Sequence, residues 1–242
     1  MSSSRDSPPG ESPLGAGRFA AAVAVRVDAG GDPATSLCGA GVEVLGLAGV
    51  GIMLLSGSRL DCVAASDTVT SDIEALELMI GEGPCIDAFK TGNACFDENL
   101  ADDRAVTWGA FREAALAAGV RAAFGFPVVV ADVCIGVLNC HSDRAGQLSE
   151  SQLADALVVA DISGRTIVSW QADAPPGRLA WQLERSVNHR VVVHQAAGRV
   201  SVQADVSIGD AMALMGAHAF ANDTTLTQLA NEVLAGRLRF DA

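Results

Sequence analysis

The segment GEGPCIDA, Gly81 to Ala88, sets a thiol directly after Pro84, between two glycines that end one helical run and a proline that opens another. A helix N-terminus carries partial positive charge and lowers the pKa of a thiol placed on it. Cys85 is therefore the one candidate nucleophile or redox sensor, with Glu82 beside it opposing thiolate formation and Cys62 and Cys95 as candidate resolving partners. The rival reading of Cys85 is a small apolar residue held in the core. The six cysteines contain no CxxC pair, and the N-terminus lacks the basic-then-apolar order of a signal peptide. They read as reduced thiols of a cytoplasmic protein. Four scattered histidines without ligand spacing argue against zinc, so no metal is assigned. No glycine motif of the phosphate-cradling kind appears, and neither a cofactor nor a catalytic residue is assigned. Two polar clusters, Asp102-Asp103-Arg104 and His141-Ser142-Asp143, sit at expected element ends, where polar residues collect anyway.

The elements that must hold these groups follow from the pattern. Residues 1–17, rich in Ser, Pro and Gly, read as a disordered tail, because they bury too little to offset ordering entropy. RFAAAVAVRV reads as a helix, with a strand as the alternative. CGAGVEVLGLAGVGIMLLSGSRLDCVAASD reads as a helix and two strands joined at Ser56–Ser58. A helix to Ile80, a restart at Cys85, a short strand at ACFDEN and a helix ending at Gly119 come next. A second strand pair then turns at Ala131–Asp132, and a long helix starts from Ser149 with Gln152 at the capping-box position. Strand pairs interleaved with helices predict an antiparallel sheet carrying helices, an α+β fold. ADAPPGR, with two prolines and a glycine, marks a linker at 172–178. No apolar run is long enough to span a membrane.

The first part, 18–171, resembles a GAF domain. The residues that carry the resemblance are the hairpin GIMLLSGSRLDCVAASD, the GEGPC turn and the strand pair FGFPVVVADVCIGVLNCHS. The resemblance implies a sensory or dimerisation module with a ligand pocket between sheet and loops, for an unidentified small molecule. Free methionine sulfoxide reductases are GAF-like proteins with a reactive cysteine in a similar turn, so a thiol reductase or redox sensor at Cys85 is an alternative role.

The remainder, 179–242, is helical throughout. LAWQLERSVNHRVVVHQAAGRVSVQA runs without proline, and Leu183, Val187, Val191, His194 and Val200 follow a 3–4 spacing, a seam able to pair two chains. Ser207 opens a second helix through the Ser-x-x-Asp signal, and Thr225 opens a third. Ala211, Leu214, Met215, His218, Leu226, Leu229, Ala230 and Val233 are expected to share one small core. Charge divides unevenly: residues 1–172 hold 22 of the 29 acids and 10 of the 16 basic residues. Phosphate contact needs Lys and Arg, so broad nucleic-acid affinity is excluded for the first part and a local contact is permitted for the second.

The second part resembles the ANTAR domain, the RNA-binding module of transcription antitermination regulators. Its carriers are Gln195-Ala-Ala-Gly198, Ala211 opening the second helix, Ala217-His-Ala-Phe-Ala221 and Leu226-Thr-x-Leu-Ala230. The family usually has Lys where Ala197 stands and Arg where Gly216 stands. The resemblance implies a homodimer formed through the long first helix, gripping the paired hairpin loops of an antiterminator RNA. It places Arg190, His194, Gln195, Arg199, His218 and Asn222 as RNA-contacting candidates. The expected protein is thus a non-enzymatic regulator in which a GAF sensor controls an RNA-binding bundle. The alternative is a helical bundle that serves only dimerisation or partner docking.

Overall fold

The computed structural model describes residues 13–56, 59–102, 107–174, 181–222, 224 and 226–240, and leaves the side chains of 13, 14, 181–191, 220 and 227 outside that description. Its elements are α1 (Pro13–Asp28), α2 (Pro33–Leu45), β1 (Gly49–Ser56), β2 (Arg59–Ala65), α3 (Thr68–Ile80), α4 (Pro84–Thr91), β3 (Cys95–Asp97), α5 (Gly109–Ala117), β4 (Ala122–Val130), β5 (Val133–Ser142), α6 (Glu150–Ala172), α7 (Trp181–Ala204), α8 (Ile208–Ala221) and α9 (Leu226–Leu234). The five strands form one antiparallel sheet in the order β2-β1-β5-β4-β3. Residues 13–17, expected in the tail, already belong to α1. Residues 1–12 and 175–180, which take in 175–178 of the expected linker 172–178, lie outside the described residues, and Ala172 is the last residue of α6.

Local signals start and stop these helices where side chains can satisfy their ends. Asp32 accepts the Thr35 N–H at 3.0 Å and Pro33 follows it, opening α2. Asp67 accepts the Thr70 N–H at 2.9 Å at the start of α3. Ser149 and Gln152 form the reciprocal capping box that starts α6. Between β4 and β5 the chain reverses in two residues, Ala131 (φ 48°) and Asp132 (φ 64°). Two left-handed residues give a turn whose twist matches the flanking strands.

Each face of the sheet is covered. On one face α1, α2 and α6 bury Phe19, Leu37, Val159 and Ile167 against Val50, Ile52, Phe124, Phe126 and Leu138. On the other, α4 packs Cys85, Ile86 and Ala88 against Met53, Leu60 and Val137. The C-terminal helices do not stand apart from this unit. One apolar cluster takes in Ile73 and Leu76 of α3, Phe111 and Ala115 of α5, and Met212, Met215 and Ala219 of α8, together with the interior of α7 and α9.

Inside that bundle the faces differ in part from those expected. Ala211, Met215, Leu226, Leu229, Ala230 and Val233 are buried, as the spacing predicts. Leu214 is 41% exposed, and Met212 and Ala219 take the interior instead. The reason is register: α8 must cover both α7 and the surface of α3 and α5, so its buried stripe follows Met212, Met215 and Ala219. Val200, placed in an inter-chain seam by its spacing, is fully buried within its own bundle. The side chains of Leu183, Val187 and Val191 lie outside the described residues.

Candidate functional site

The GEGPC turn joins α3 to α4 with a role for every residue. Gly81 closes α3 in the left-handed region (φ 77°). Gly83, at φ 136°, opens α4, and a Cβ there would lie 2.3 Å from Glu77 Oε1. Pro84 occupies the first turn of α4, where no intrahelical N–H is needed. Glu82 turns outward, and its Oε1 accepts the N–H groups of Ala110 (2.8 Å) and Phe111 (3.1 Å), capping α5. Cys85 donates its backbone N–H to Glu77 Oε1 at 2.8 Å. Gly125 on β4 makes this approach possible, because a Cβ there would lie 2.6 Å from the Pro84 carbonyl oxygen.

That geometry corrects the expectation for Cys85. The residue is 1% exposed, and burial, followed by the Glu77 carboxylate, pushes its thiol well above the ordinary value. Helix-terminal polarisation acts on Glu77 through the Cys85 N–H, and the buried thiol lies against the same carboxylate, which holds it in the neutral form. Glu82, expected to oppose the thiolate, is engaged with α5. Burial also raises Glu77 to about 7. Neither buried acid of α3 stands out in the sequence, since Ile73, Glu74, Leu76 and Glu77 share one helical face and two of the four are charged. Cys62 donates to the buried Glu74 Oε2, a bond that explains why this acid lies against the sheet.

A second polar chain lies under the start of α3. Thr70 Oγ1 donates to Asp67 Oδ2 at 2.8 Å and is 2.9 Å from His141 Nε2. His141, expected at an element end, is instead a buried residue of β5, and burial pushes its pKa down. Its Nδ1 has no hydrogen-bond partner. The chain therefore holds a neutral imidazole that fixes α3 to the sheet.

The RNA-contacting candidates divide. Gln195 and Arg199 are exposed, one turn apart on α7, and both rest on a buried floor of Ala196, Ala197 and Val200. Arg199 donates to the Leu234 carbonyl at 2.9 Å, capping the end of α9. Asn222 is exposed at the end of α8 and donates Nδ2–H to the His218 carbonyl at 2.8 Å. His218 is half-buried, its ring edge-on to Phe240 at 5.3 Å. His194 is half-buried in a cleft against the first part of the chain, away from the exposed row. Arg190 lies in α7, with its side chain outside the described residues. Ala197, where the resembling family carries Lys, is 0% exposed, while no heavy atom lies within 4 Å of a Cβ built on Gly216.

Among the described residues, no group of three His, Cys, Asp or Glu side chains is arranged to hold a metal ion, and no helix is long and apolar enough to cross a membrane.

An antiparallel sheet with helices on both faces and a buried polar layer beneath α3 and α4 defines an α+β domain. The family model described as GAF domain matches residues 34–167, more than half of the chain, and the chain belongs to that family. Among solved structures, the GAF domain of an Acinetobacter phosphoenolpyruvate-protein phosphotransferase is 13% identical, with 68% of this chain and 99% of that chain covered and a TM-score of 0.49. A domain of a two-component sensor histidine kinase protein from Sinorhizobium meliloti 1021 is 20% identical, covering 58% of this chain and 91% of that one, with a TM-score of 0.47. The free methionine-R-sulfoxide reductase of Neisseria meningitidis is 15% identical, covering 72% and 100%, with a TM-score of 0.44. No curated protein matches the chain.

Proposed function

We propose that this GAF protein is a signal-responsive transcription antitermination regulator, in which α7–α9 form an ANTAR-type bundle that binds paired RNA hairpin loops as a homodimer. The observation that carries this reading is the exposed pair Gln195 and Arg199 on a long helix, backed by a small-residue floor and placed directly after a sensory domain. An exposed amide can hydrogen-bond the edge of an unstacked loop base, and a guanidinium can stack on it or meet phosphate. The reading has no catalytic step, and the burial of Cys85 supports leaving one out.

The test is binding of the full chain to an RNA with two adjacent hairpin loops, against a scrambled-loop control, at low and high salt. Loop-specific binding that weakens with salt is expected, with a loss of about tenfold in Gln195→Ala, on the order of one hydrogen bond to a base. Equal affinity for the scrambled loops, or none for either RNA, overturns the reading. One observation favours a second function, docking without RNA: the apolar cluster that α8 shares with α3 and α5 already uses the bundle as a binding partner for the sensor.

A further inference from the structure

A cleft of about 520 Å³ opens where α7 crosses the outer end of the GAF unit. Its walls come from four elements: Arg59 and Leu60 at the start of β2, Leu78 and Met79 of α3, Ile86, Phe89 and Lys90 of α4, and His194 of α7. The interior between sheet and α4 is already filled by Met53, Leu60, Cys85, Ile86 and Val137. The cleft borders that filled interior, sharing Leu60 and Ile86 with it, and His194, one of its walls, lies beyond the matched residues 34–167.

Two features of the lining point to one ligand chemistry. The floor is apolar, made of Leu60, Leu78, Met79, Ile86 and Phe89. The polar groups at its edge are Arg59, Lys90 and His194, and among the described residues the lining contains no carboxylate. That is a marked local reversal in a chain of net charge −13. The Lys90 ammonium lies 3.9 Å from Asp87 Oδ1 and donates to the Gly81 carbonyl oxygen at 3.5 Å, while Asp87 Oδ2 accepts the Trp108 indole N–H at 2.8 Å. Both ammonium contacts are long, so a closer anion would be preferred over them, and the volume suits a small organic ligand.

We propose that this cleft is a binding site for a small amphiphilic carboxylate, with its apolar body on Leu78, Ile86 and Phe89 and its carboxylate between Arg59 and Lys90. The inference rests on the sensory reading of the GAF unit and names its ligand class. Because His194 closes the site from α7, an occupied cleft adds a contact between α7 and the sensor to the apolar cluster that α8 already shares with α3 and α5. The ligand thereby sets how firmly α7 is held, independently of what α7 binds.

Octanoate and 1-octanol, which share a chain and differ in charge, provide the test by calorimetric titration of the full-length protein. Octanoate is expected to bind at one site per chain, at least tenfold more tightly than 1-octanol. Arg59→Gln with Lys90→Gln, both on the exposed rim, is expected to abolish that preference while leaving the melting temperature unchanged. Equal binding of the two probes, an unchanged preference in the double variant, or no saturable octanoate binding overturns the proposal. RNA binding is not read in this titration, so failure of the RNA reading leaves the result standing, and failure here leaves the RNA assay to be judged alone.

Discussion

Glu77 accepts the backbone N–H of Cys85 at 2.8 Å across the GEGP turn, so the acid and the cysteine are bonded through the main chain while the thiol itself stays buried. The bond anchors the start of α4 to the last full turn of α3. A turn that reads in sequence as a reactive site is, in the fold, a joint.

The thiol should therefore be inert. Iodoacetamide at neutral pH, followed by mass mapping, is expected to leave Cys85 unmodified in the native protein and to alkylate the half-exposed Cys95. Faster labelling at Cys85 than at Cys95 would show the thiol to be open and activated.

Glu77 also sets a pH dependence. Its folded value of about 7 stands above the ordinary 4.5, so between those values the native protein holds a proton that the unfolded chain has released. Stability from this group is fully present below the unfolded value and is lost as pH rises through about 7, by at most about 1.4 kcal/mol per pH unit. His141 acts oppositely: its folded value is depressed, so its contribution is present above the ordinary 6.5 and is lost as pH falls. Glu77→Gln keeps an acceptor for the Cys85 N–H and removes only the first effect. Unfolding free energies of wild type and variant from urea melts, compared from about pH 5 to about pH 8, should show the variant gaining by about 2–3 kcal/mol relative to wild type. A constant difference across that range would refute the buried-acid assignment.

The two positions where the resembling family carries cations should respond in opposite ways. Ala197 is fully buried, so Ala197→Lys is expected to cost about 3 kcal/mol or more through a buried ammonium. Gly216 has open space around its Cβ position, so Gly216→Arg is expected to fold and to stabilise α8 by about 0.5–1 kcal/mol. Thermal melts of the two variants decide it. Of the two, only Gly216→Arg is a sound probe of whether an added cation strengthens RNA binding.

Ala131 stands at φ 48° in the β4–β5 turn, where a side chain costs about 1 kcal/mol. Ala131→Gly is expected to raise the unfolding free energy from urea melts by that amount, and an unchanged or lower value would mean that the turn relaxes without strain.

Much of this fold is legible in the sequence because its boundaries are written in local chemistry. Asp32, Asp67 and Ser149 each accept a backbone N–H near the start of the following helix, and β4 and β5 turn at the expected Ala131–Asp132. The faces of α7 and α8 are harder to read. Ala, Gly and Val occur around most of each helix, so spacing alone does not say which side is buried. The answer for α8 comes from a surface much earlier in the chain, on α3 and α5. The burial of Cys85 is hidden for a similar reason, since it depends on Gly125 letting α4 lie close to β4. The cleft around His194 combines four elements that no local pattern connects.

The apolar cluster shared by α3, α5 and α8 has a consequence for how such proteins are recombined. A bundle cut away at the linker takes with it Met212, Met215 and Ala219 and leaves their counterparts on the sensor facing water. Grafting this bundle onto another sensory domain therefore requires a matching landing surface on the new host, not merely a linker of the right length. The unit of inheritance here is the sensor and bundle together.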